Sequence, residues 1–187
     1  MELDENLLRF MFLCGDLKKV KRKGWVERGI PNVESVADHS HRMAIFALLL
    51  GTKTKANRNR CIMMALVHDL AECLVGDITP SDGVSKEEKH SREKSAMRHI
   101  TDMVPCKEMR DEIMDLWEEY ESGVSLEAQL VKDIDKFEMI AQAYQYERES
   151  GVRGKLQDFF DSTEDKFRTD SIRKWSTSLR NIRDKND

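Results

Sequence analysis

The spacing of hydrophobic positions along the chain predicts a protein built almost entirely of helices. Apolar residues recur every three or four positions through most segments, and no stretch keeps the alternating pattern of a half-buried strand. Only three of the 187 residues are prolines. We therefore predict an all-α fold, and the length suits one compact domain with its own core.

Capping residues, glycines and prolines set the expected helix boundaries. Asn57, Ser85 and Ser125 are the expected N-caps of three helices. The predicted helices cover about residues 3–17, 34–50 (stopped by Gly51), 57–76, a stretch from 85, then 105–120, 125–150, 156–160 and 170–183, with loops at 24–31 and 76–83. This organisation leaves a polar tail over about residues 184–187.

Composition and charge argue against a nucleic-acid-binding, membrane-spanning or secreted protein. The net charge of −4 argues against broad nucleic-acid binding, although it permits a small phosphorylated substrate held by a local positive site. No apolar run is long enough to cross a bilayer, and the acidic first residues lack the basic start of a secretory signal. The four cysteines form no CxxC pair, so we expect reduced thiols in a cytoplasmic protein without membrane or nucleic-acid partners.

The stretch from Ala65 to Glu72 carries the clearest sign of chemistry. An adjacent His68 and Asp69 lie inside an apolar run that is predicted to be helical. Burial of such polar groups costs several kcal/mol by rough estimate unless partners compensate, and a divalent metal is a suitable partner. In a continuous helix Glu72 would lie on the same side as both residues. One turn would then offer two metal ligands and a nearby acid or base.

Two further ligands are expected from other helices. The start of the second long helix offers His39 and His41, and both are candidates. The sixth helix offers Asp133 and Asp135 among apolar residues. Helical periodicity places Asp133 nearer the apolar stripe, so the spacing alone does not select Asp135.

The order of these residues resembles the HD-domain superfamily of metal-dependent phosphohydrolases, whose signature is His…His-Asp…Asp. Further short motifs, in order, resemble the 5'-deoxynucleotidase group of that superfamily over about residues 24–167. The motifs are Glu34-Ser35-Val36-Ala37-Asp38-His39-Ser40, Ala65-Leu66-Val67-His68-Asp69-Leu70-Ala71-Glu72, Val75-Gly76-Asp77-Ile78, Lys86-Glu87-Glu88-Lys89-His90, Leu116-Trp117-Glu118-Glu119-Tyr120-Glu121 and Val131-Lys132. The resemblance implies a single HD domain with an all-α helical bundle.

The resemblance also implies a ligand set, a substrate and an assembly. The family pattern selects His39 and Asp135 to join His68 and Asp69, with Asp133 as the alternative. The implied substrate is a deoxyribonucleoside 5'-monophosphate, and the implied assembly is a homodimer. The metal is a divalent cation, Co²⁺, Mn²⁺, Mg²⁺ or Zn²⁺, because two histidines and two aspartates suit several such ions.

Acid–base and substrate roles are expected from the residues around this set. Glu72 is the first candidate for proton transfer and Asp77 the second, with contact to the sugar 3'-hydroxyl as another task for Asp77. Alternatively, Glu72, Asp77 and the Ile78 carbonyl bind a second hard cation such as Mg²⁺. A third alternative is that Asp77 only caps a turn.

The Lys23-Gly24-Trp25 segment occupies the place where bacterial members carry an Arg-Trp pair that meets the phosphate and excludes a 2'-hydroxyl. Because Gly24 precedes the tryptophan here, Lys23 or Arg22 is expected to take the arginine's role. Trp25 is expected to form the sugar-side wall, with core packing as the alternative. Two other functions are considered: an HD phosphohydrolase acting on a nucleoside triphosphate, cyclic nucleotide or alarmone, and a non-catalytic metal-stabilised scaffold.

Overall fold

The computed structural model describes residues 2–50 and 54–185, and the described chain is all-α. It contains ten α-helices, one 3-10 turn at Pro80–Asp82 and an isolated antiparallel bridge between Lys21 and Ser35. The helices are α1 (Glu5–Asp16), α2 (Lys23–Glu27), α3 (Val36–Leu50), α4 (Arg58–Val67), α5 (Glu72–Val75), α6 (Lys86–Asp102), α7 (Lys107–Ser122), α8 (Leu126–Ser150), α9 (Gln157–Ser162) and α10 (Asp170–Lys185). The predicted fold class is confirmed.

Polar side chains cap the helices where the sequence predicts them. Asn57 Oδ1 accepts a hydrogen bond from the Arg60 backbone N–H at 3.2 Å, before α4 has completed its first turn. Ser85 and Ser125 accept the corresponding bonds at the starts of α6 and α8, each at 3.1 Å. Gly151, at φ +65°, ends α8 in the left-handed conformation that glycine adopts without strain. The Gly51 stop lies outside the described residues.

Two predicted boundaries are wrong. The expected loop over residues 24–31 contains the short helix α2, in spite of Gly24. The expected continuous helix over residues 57–76 is two helices, because α4 ends at Val67 and α5 begins at Glu72. The turn between these helices carries the His-Asp pair and is described with the candidate site.

The described chain divides into two compact units, and each is formed from two stretches of sequence. The first unit comprises residues 2–41 and 66–118. Its core includes Leu17, Val36, Met97, Ile100 and Trp117, each at most 6% exposed. Helices α1, α5 and α6 pack against one another around this core. The single-domain organisation of the chain stays a prediction.

The second unit comprises residues 42–50, 54–65 and 119–185 and is built on the long helix α8, which packs against α9 and α10. Leu156 and Phe160 are completely buried, and each contributes about 1.5–3 kcal/mol by leaving water. The Trp175 ring of α10 lies 5.9 Å from the Phe46 ring and 5.5 Å from the Phe137 ring, centroid to centroid. Trp175 therefore joins α10 to the aromatic side chains of this unit. No helix within the described ranges is long and apolar enough to span a membrane.

Candidate active site

His68 and Asp69 lie where the helical backbone is interrupted between α4 and α5. After α4 ends, the Leu70 N–H donates to the Val67 carbonyl at 3.1 Å and the Glu72 N–H donates to the Asp69 carbonyl at 3.0 Å. These bonds span three residues instead of the four of an α-helix, so the chain tightens as in a 3-10 turn. His68 and Asp69 therefore lie on a turn between two helices, and Glu72 starts the second helix.

The histidine at the start of α3 is held in place by its neighbours. Asp38 Oδ2 accepts the Ser35 backbone N–H at 2.8 Å and the Ser35 hydroxyl at 2.7 Å. These hydrogen bonds to Ser35 lower the pKa of Asp38 because they favour its charged form. The Val36 N–H donates to the Val20 carbonyl at 2.9 Å, which ties the start of α3 to the segment before α2. His39, the next residue after this capping aspartate, is completely buried.

Three of the four predicted metal ligands come together in the first unit. The ring centroids of His39 and His68 are 5.5 Å apart, and ligand nitrogens of the two rings lie within 4.8 Å of each other. Asp69 Oδ2 lies 3.0 Å from His68 Nε2 and 3.9 Å from His39 Nε2. Two imidazole nitrogens and a carboxylate oxygen at these distances are a donor set that divalent transition metals accept.

Positive and polarisable groups surround the Asp69 carboxylate. Arg22 Nη1 lies 3.6 Å from Asp69 Oδ2, and the Arg22 side chain is 17% exposed. Burial alone would raise the pKa of Asp69, but His68, Arg22 and His39 outweigh burial and lower it. Asp69 is therefore held in the charged form that metal coordination requires.

Glu72 is the least satisfied carboxylate of the site. The residue is 3% exposed, and its Oε2 atom has no hydrogen-bond partner within the described ranges. Burial raises the pKa of Glu72 well above its usual range, and the charges of Asp69 and Asp77 add to this effect. Arg22 and Lys89 oppose it. A buried carboxyl with a raised pKa and an open oxygen is suited to proton transfer.

The loop after α5 carries Asp77 and Ile78. Gly76, at φ +74°, turns the chain so that Asp77 Oδ2 accepts the Lys23 backbone N–H at 2.8 Å. The Asp77 side chain therefore caps the N-terminus of α2 and links the loop after α5 to that helix. The Ile78 carbonyl accepts a hydrogen bond from Lys89 Nζ at 3.0 Å.

The side chains of the expected substrate segment contact different partners. The Lys23 ammonium pairs with Asp82 in the loop before α6. Arg22, by contrast, faces Asp69. Trp25 is 2% exposed, and its indole N–H donates to Glu34 Oε1 at 2.9 Å. The burial of Trp25 favours its packing role, and its contact with a sugar stays a prediction.

In the second unit the two candidate aspartates of α8 have different surroundings. Asp133 Oδ2 accepts the Arg168 N–H at 2.8 Å, the Thr169 N–H at 2.7 Å and the Thr169 hydroxyl at 2.8 Å. This carboxylate therefore fixes the segment that leads into α10. Asp135 is half-buried, and its Oδ2 accepts the Tyr120 hydroxyl at 2.8 Å. Asp133 has a structural task, which leaves Asp135 as the better ligand candidate.

Sequence reasoning gave no role to two residues of the site. A Glu34 carboxylate oxygen lies within 4.8 Å of a His39 nitrogen, although Glu34 only opens a matched motif in the sequence. Lys89 lies four residues after the capping Ser85 in a helix rich in charged residues. In the sequence it looks like any solvent-exposed lysine of such a helix. Its contact with Ile78 arises from tertiary packing. The run Lys21-Arg22-Lys23 signals local positive charge without showing which side chain faces inward.

The arrangement described above, in which His39 lies beside the His68-Asp69 pair in an all-α chain, is that of a known protein family. The HD domain family model matches residues 14–175, so the chain belongs to the HD-domain family.

Named relatives support a narrower assignment within that family. The 5'-deoxynucleotidase HDDC2 of Danio rerio is 55% identical over 163 residues, covering 87% of this chain and 80% of the relative. The 5'-deoxynucleotidase YGK1 of Saccharomyces cerevisiae is 43% identical over 175 residues, covering 92% and 80%. A solved structure of a conserved hypothetical protein from Pyrococcus furiosus is 34% identical with a TM-score of 0.76, covering 93% of this chain and 99% of that one.

Proposed function

We propose that this protein is a metal-dependent phosphomonoester hydrolase that converts deoxyribonucleoside 5'-monophosphates and water to deoxyribonucleosides and phosphate. The observation that carries the proposal is the cluster of His39, His68 and Asp69 beside the buried Glu72. The substrate class is supported by relatives named 5'-deoxynucleotidases at 43–55% identity.

The donor set fits a divalent metal ion. In this proposal His39, His68 and Asp69 hold the ion, and Asp135 of α8 supplies the fourth ligand. Such an ion, when bound, neutralises phosphoryl charge and makes a water acidic, with a water pKa near 7 in the best zinc sites. Co²⁺, Mn²⁺, Mg²⁺ and Zn²⁺ all remain candidates, since mixed nitrogen and oxygen donors accept each of them.

Glu72 acts as the proton acceptor in this proposal. Its Oε2 atom takes the proton of the attacking water, because that oxygen has no hydrogen-bond donor among the described residues. The burial that raises the pKa of Glu72 also makes it able to hold this proton and to pass it on to the leaving 5'-oxygen. Hydrolysis then yields an alcohol and inorganic phosphate without a covalent enzyme intermediate.

Basic and acidic groups around Asp69 bind the rest of the substrate. Arg22 takes the phosphate-binding role in preference to Lys23, because Arg22 faces the ligand turn whereas Lys23 pairs with Asp82. Asp77 either holds the sugar 3'-hydroxyl or joins Glu72 and the Ile78 carbonyl around a second cation. Trp25, which is almost completely buried, packs beneath the sugar end of the site in this proposal.

A phosphate-release assay tests the activity. It compares dAMP, AMP, dATP and cyclic AMP, each with Co²⁺, Mn²⁺, Mg²⁺ or Zn²⁺. Release from dAMP and not from AMP supports the proposal. Release from dATP or cyclic AMP alone would assign another HD phosphohydrolase activity, and no release with any combination would favour a metal-stabilised scaffold.

We also propose a cytoplasmic location and a homodimeric assembly. The described cysteines are all free thiols, which fits a reducing compartment. The homodimer rests on the family resemblance, and light scattering coupled to size-exclusion chromatography measures it directly.

A further inference from the structure

A lysine outside the predicted catalytic set binds the loop next to Glu72. Lys89 lies near the start of α6, and its ammonium donates to the Ile78 carbonyl oxygen at 3.0 Å. A second partner is close, because Glu93 Oε1 lies 3.5 Å from the same nitrogen. The Lys89 side chain is 38% exposed, and both oxygens lie within reach of its ammonium group.

The carbonyl that Lys89 binds lies in a loop that follows Glu72 and contains Asp77, whose Oδ2 also accepts the Lys23 N–H at 2.8 Å. Asp77 directly precedes Ile78, and Glu72 lies at the start of the short helix that leads into this loop. Glu72 is nearly completely buried, and its Oε2 has no hydrogen-bond partner within the part of the chain that the structure describes. Two carboxylates and a carbonyl are hard oxygen donors of the kind that Mg²⁺ and Mn²⁺ bind.

The lysine interacts electrostatically with this same group. Burial tends to lower the pKa of Lys89, but the surrounding carboxylates outweigh burial and raise it, so the side chain carries its positive charge. The carboxylates that act on it are Glu93, Glu72, Asp69 and Asp77. An ammonium and a divalent cation attract the same oxygens and repel each other.

We propose that Lys89 competes with a second divalent cation for the oxygens of Glu72, Asp77 and Ile78, and so weakens the binding of that cation. The inference rests on the alternative within the proposed function in which Glu72, Asp77 and the Ile78 carbonyl hold a second cation, with one Glu72 oxygen on the cation and the other left to accept the proton. When the cation binds, Lys89 leaves the Ile78 carbonyl and pairs with Glu93. Lys89 is thus a positioning residue, which acts through the metal-binding oxygens instead of touching the substrate.

A purely structural lysine predicts the opposite result. If Lys89 only held the 76–79 loop in place, its removal would loosen the oxygen donors and weaken the second cation. If Lys89 competes with the cation, removal of its charge strengthens binding of the second cation. The sign of the change therefore separates the two roles.

The test is a titration of the metal-free, full-length chain with Mn²⁺, followed by calorimetry and by equilibrium dialysis with metal analysis. The variants are Lys89→Met, which removes the charge and keeps the length, and Lys89→Arg, which keeps the charge. We expect two classes of Mn²⁺ site in the parent. In Lys89→Met the weaker class should tighten about tenfold, the effect of losing one charge-assisted hydrogen bond, while the tighter class is unchanged.

The controls and the contrary results are defined by the same titration. Lys89→Arg should keep the weaker affinity near that of the parent, and Lys86→Met, an exposed lysine of the same helix, should change neither class. An unchanged or weaker second class in Lys89→Met, or a single class in every variant, would overturn the proposal. Because Mn²⁺ binding needs no nucleotide, a failure of the phosphate-release assay leaves this result interpretable on its own.

Discussion

Glu72 in the first unit and Glu147 in the second are both almost completely buried, at 3% and 5% exposure, but their surroundings differ. Glu147 accepts the Leu156 N–H at 3.0 Å and forms a two-point pair with Arg183, with contacts of 2.7 and 3.1 Å. Glu72 lies among other carboxylates, and one of its oxygens has no hydrogen-bond partner in the described chain.

The difference separates a structural buried charge from a functional one. A buried carboxylate with a complete set of donors holds elements together, as Glu147 does for α8, the start of α9 and α10. A buried carboxylate that lacks donors destabilises the folded state. Proteins keep such a group at sites where a ligand or a proton completes its interactions. The predictions below test whether Glu72 and its neighbours behave in this second way.

The largest expected effect is at the ligand turn. Asp69→Asn should lower kcat/KM for dAMP by about a thousandfold or more and should abolish tight Mn²⁺ binding, because the amide is a poor substitute for a charged ligand. His68→Ala and Asp135→Asn should behave alike. Steady-state kinetics and metal analysis measure both effects.

The matched control for this prediction is Asp16→Asn. Asp16 is paired with Lys19 on the surface of the same unit, so its change should affect neither metal content nor turnover. If Asp69→Asn kept more than a tenth of the parent's kcat/KM, Asp69 would not be a ligand of the catalytic metal.

Next in size is Glu72→Gln. This variant should keep the tight Mn²⁺ site and lose about a hundredfold in kcat with dAMP, because the amide cannot accept a proton. The same change at Glu147 should leave turnover per folded molecule unaltered. Full activity in Glu72→Gln would remove the acid–base assignment and, with it, the functional half of the comparison.

The contrast reverses when stability is measured. Glu147→Gln leaves the Arg183 charge buried without its counter-ion, so we expect a loss of about 3 kcal/mol in the free energy of unfolding. Urea denaturation followed by circular dichroism measures this change. Glu149→Gln, an exposed position on the same helix, should change the free energy by less than about 0.5 kcal/mol. A loss below about 1 kcal/mol for Glu147→Gln would mean that the buried pair contributes little.

The sequence predicts the helices of this fold better than it predicts the site turn. Capping by Asn57, Ser85 and Ser125 follows from local hydrogen bonding, and the structure confirms it. The break between Val67 and Glu72 contains neither glycine nor proline, so no strong helix breaker signals it. Tertiary packing of this turn in the first unit determines its backbone.

The same division applies to the residues of the site. Motif order selects His39 and His68, and the structure brings these two rings together in the first unit. The contact between Arg22 and Asp69 joins segments far apart in sequence, and the bond from Lys89 to Ile78 depends on how the loop before α6 folds back on that helix. Charge patterning shows that basic residues are present, whereas only the folded chain shows which of them face the carboxylates.

A smaller effect is expected from the two aspartates of α8. Asp133 accepts three hydrogen bonds from residues 168 and 169, whereas Asp135 accepts one from the Tyr120 hydroxyl. Tyr120→Phe removes the hydrogen bond that orients Asp135. We expect tight Mn²⁺ binding to weaken about tenfold, since partners that orient metal ligands contribute at about this level. The free energy of unfolding in the absence of metal should change little. Unchanged Mn²⁺ affinity would argue that Asp135 is not a ligand.

The smallest effect concerns the stability of the metal-free protein as a function of pH. Burial and the neighbouring carboxylates raise the pKa of Glu72 in the folded chain above its value in the unfolded chain. The unfolded chain therefore loses its proton first, and ionised Glu72 destabilises the folded state at neutral and higher pH. Metal-free Glu72→Gln should consequently unfold at a higher temperature than the parent at pH 8. The gain should shrink as the pH falls towards about 4, where the glutamate of the unfolded chain also becomes protonated.

Thermal unfolding in the presence of a chelator measures this difference, and a gain that stayed constant with pH would show that the charge of Glu72 is not its cause. Glu147→Gln should be less stable than the parent at pH 8, so the same substitution should change stability in opposite directions at the two buried glutamates.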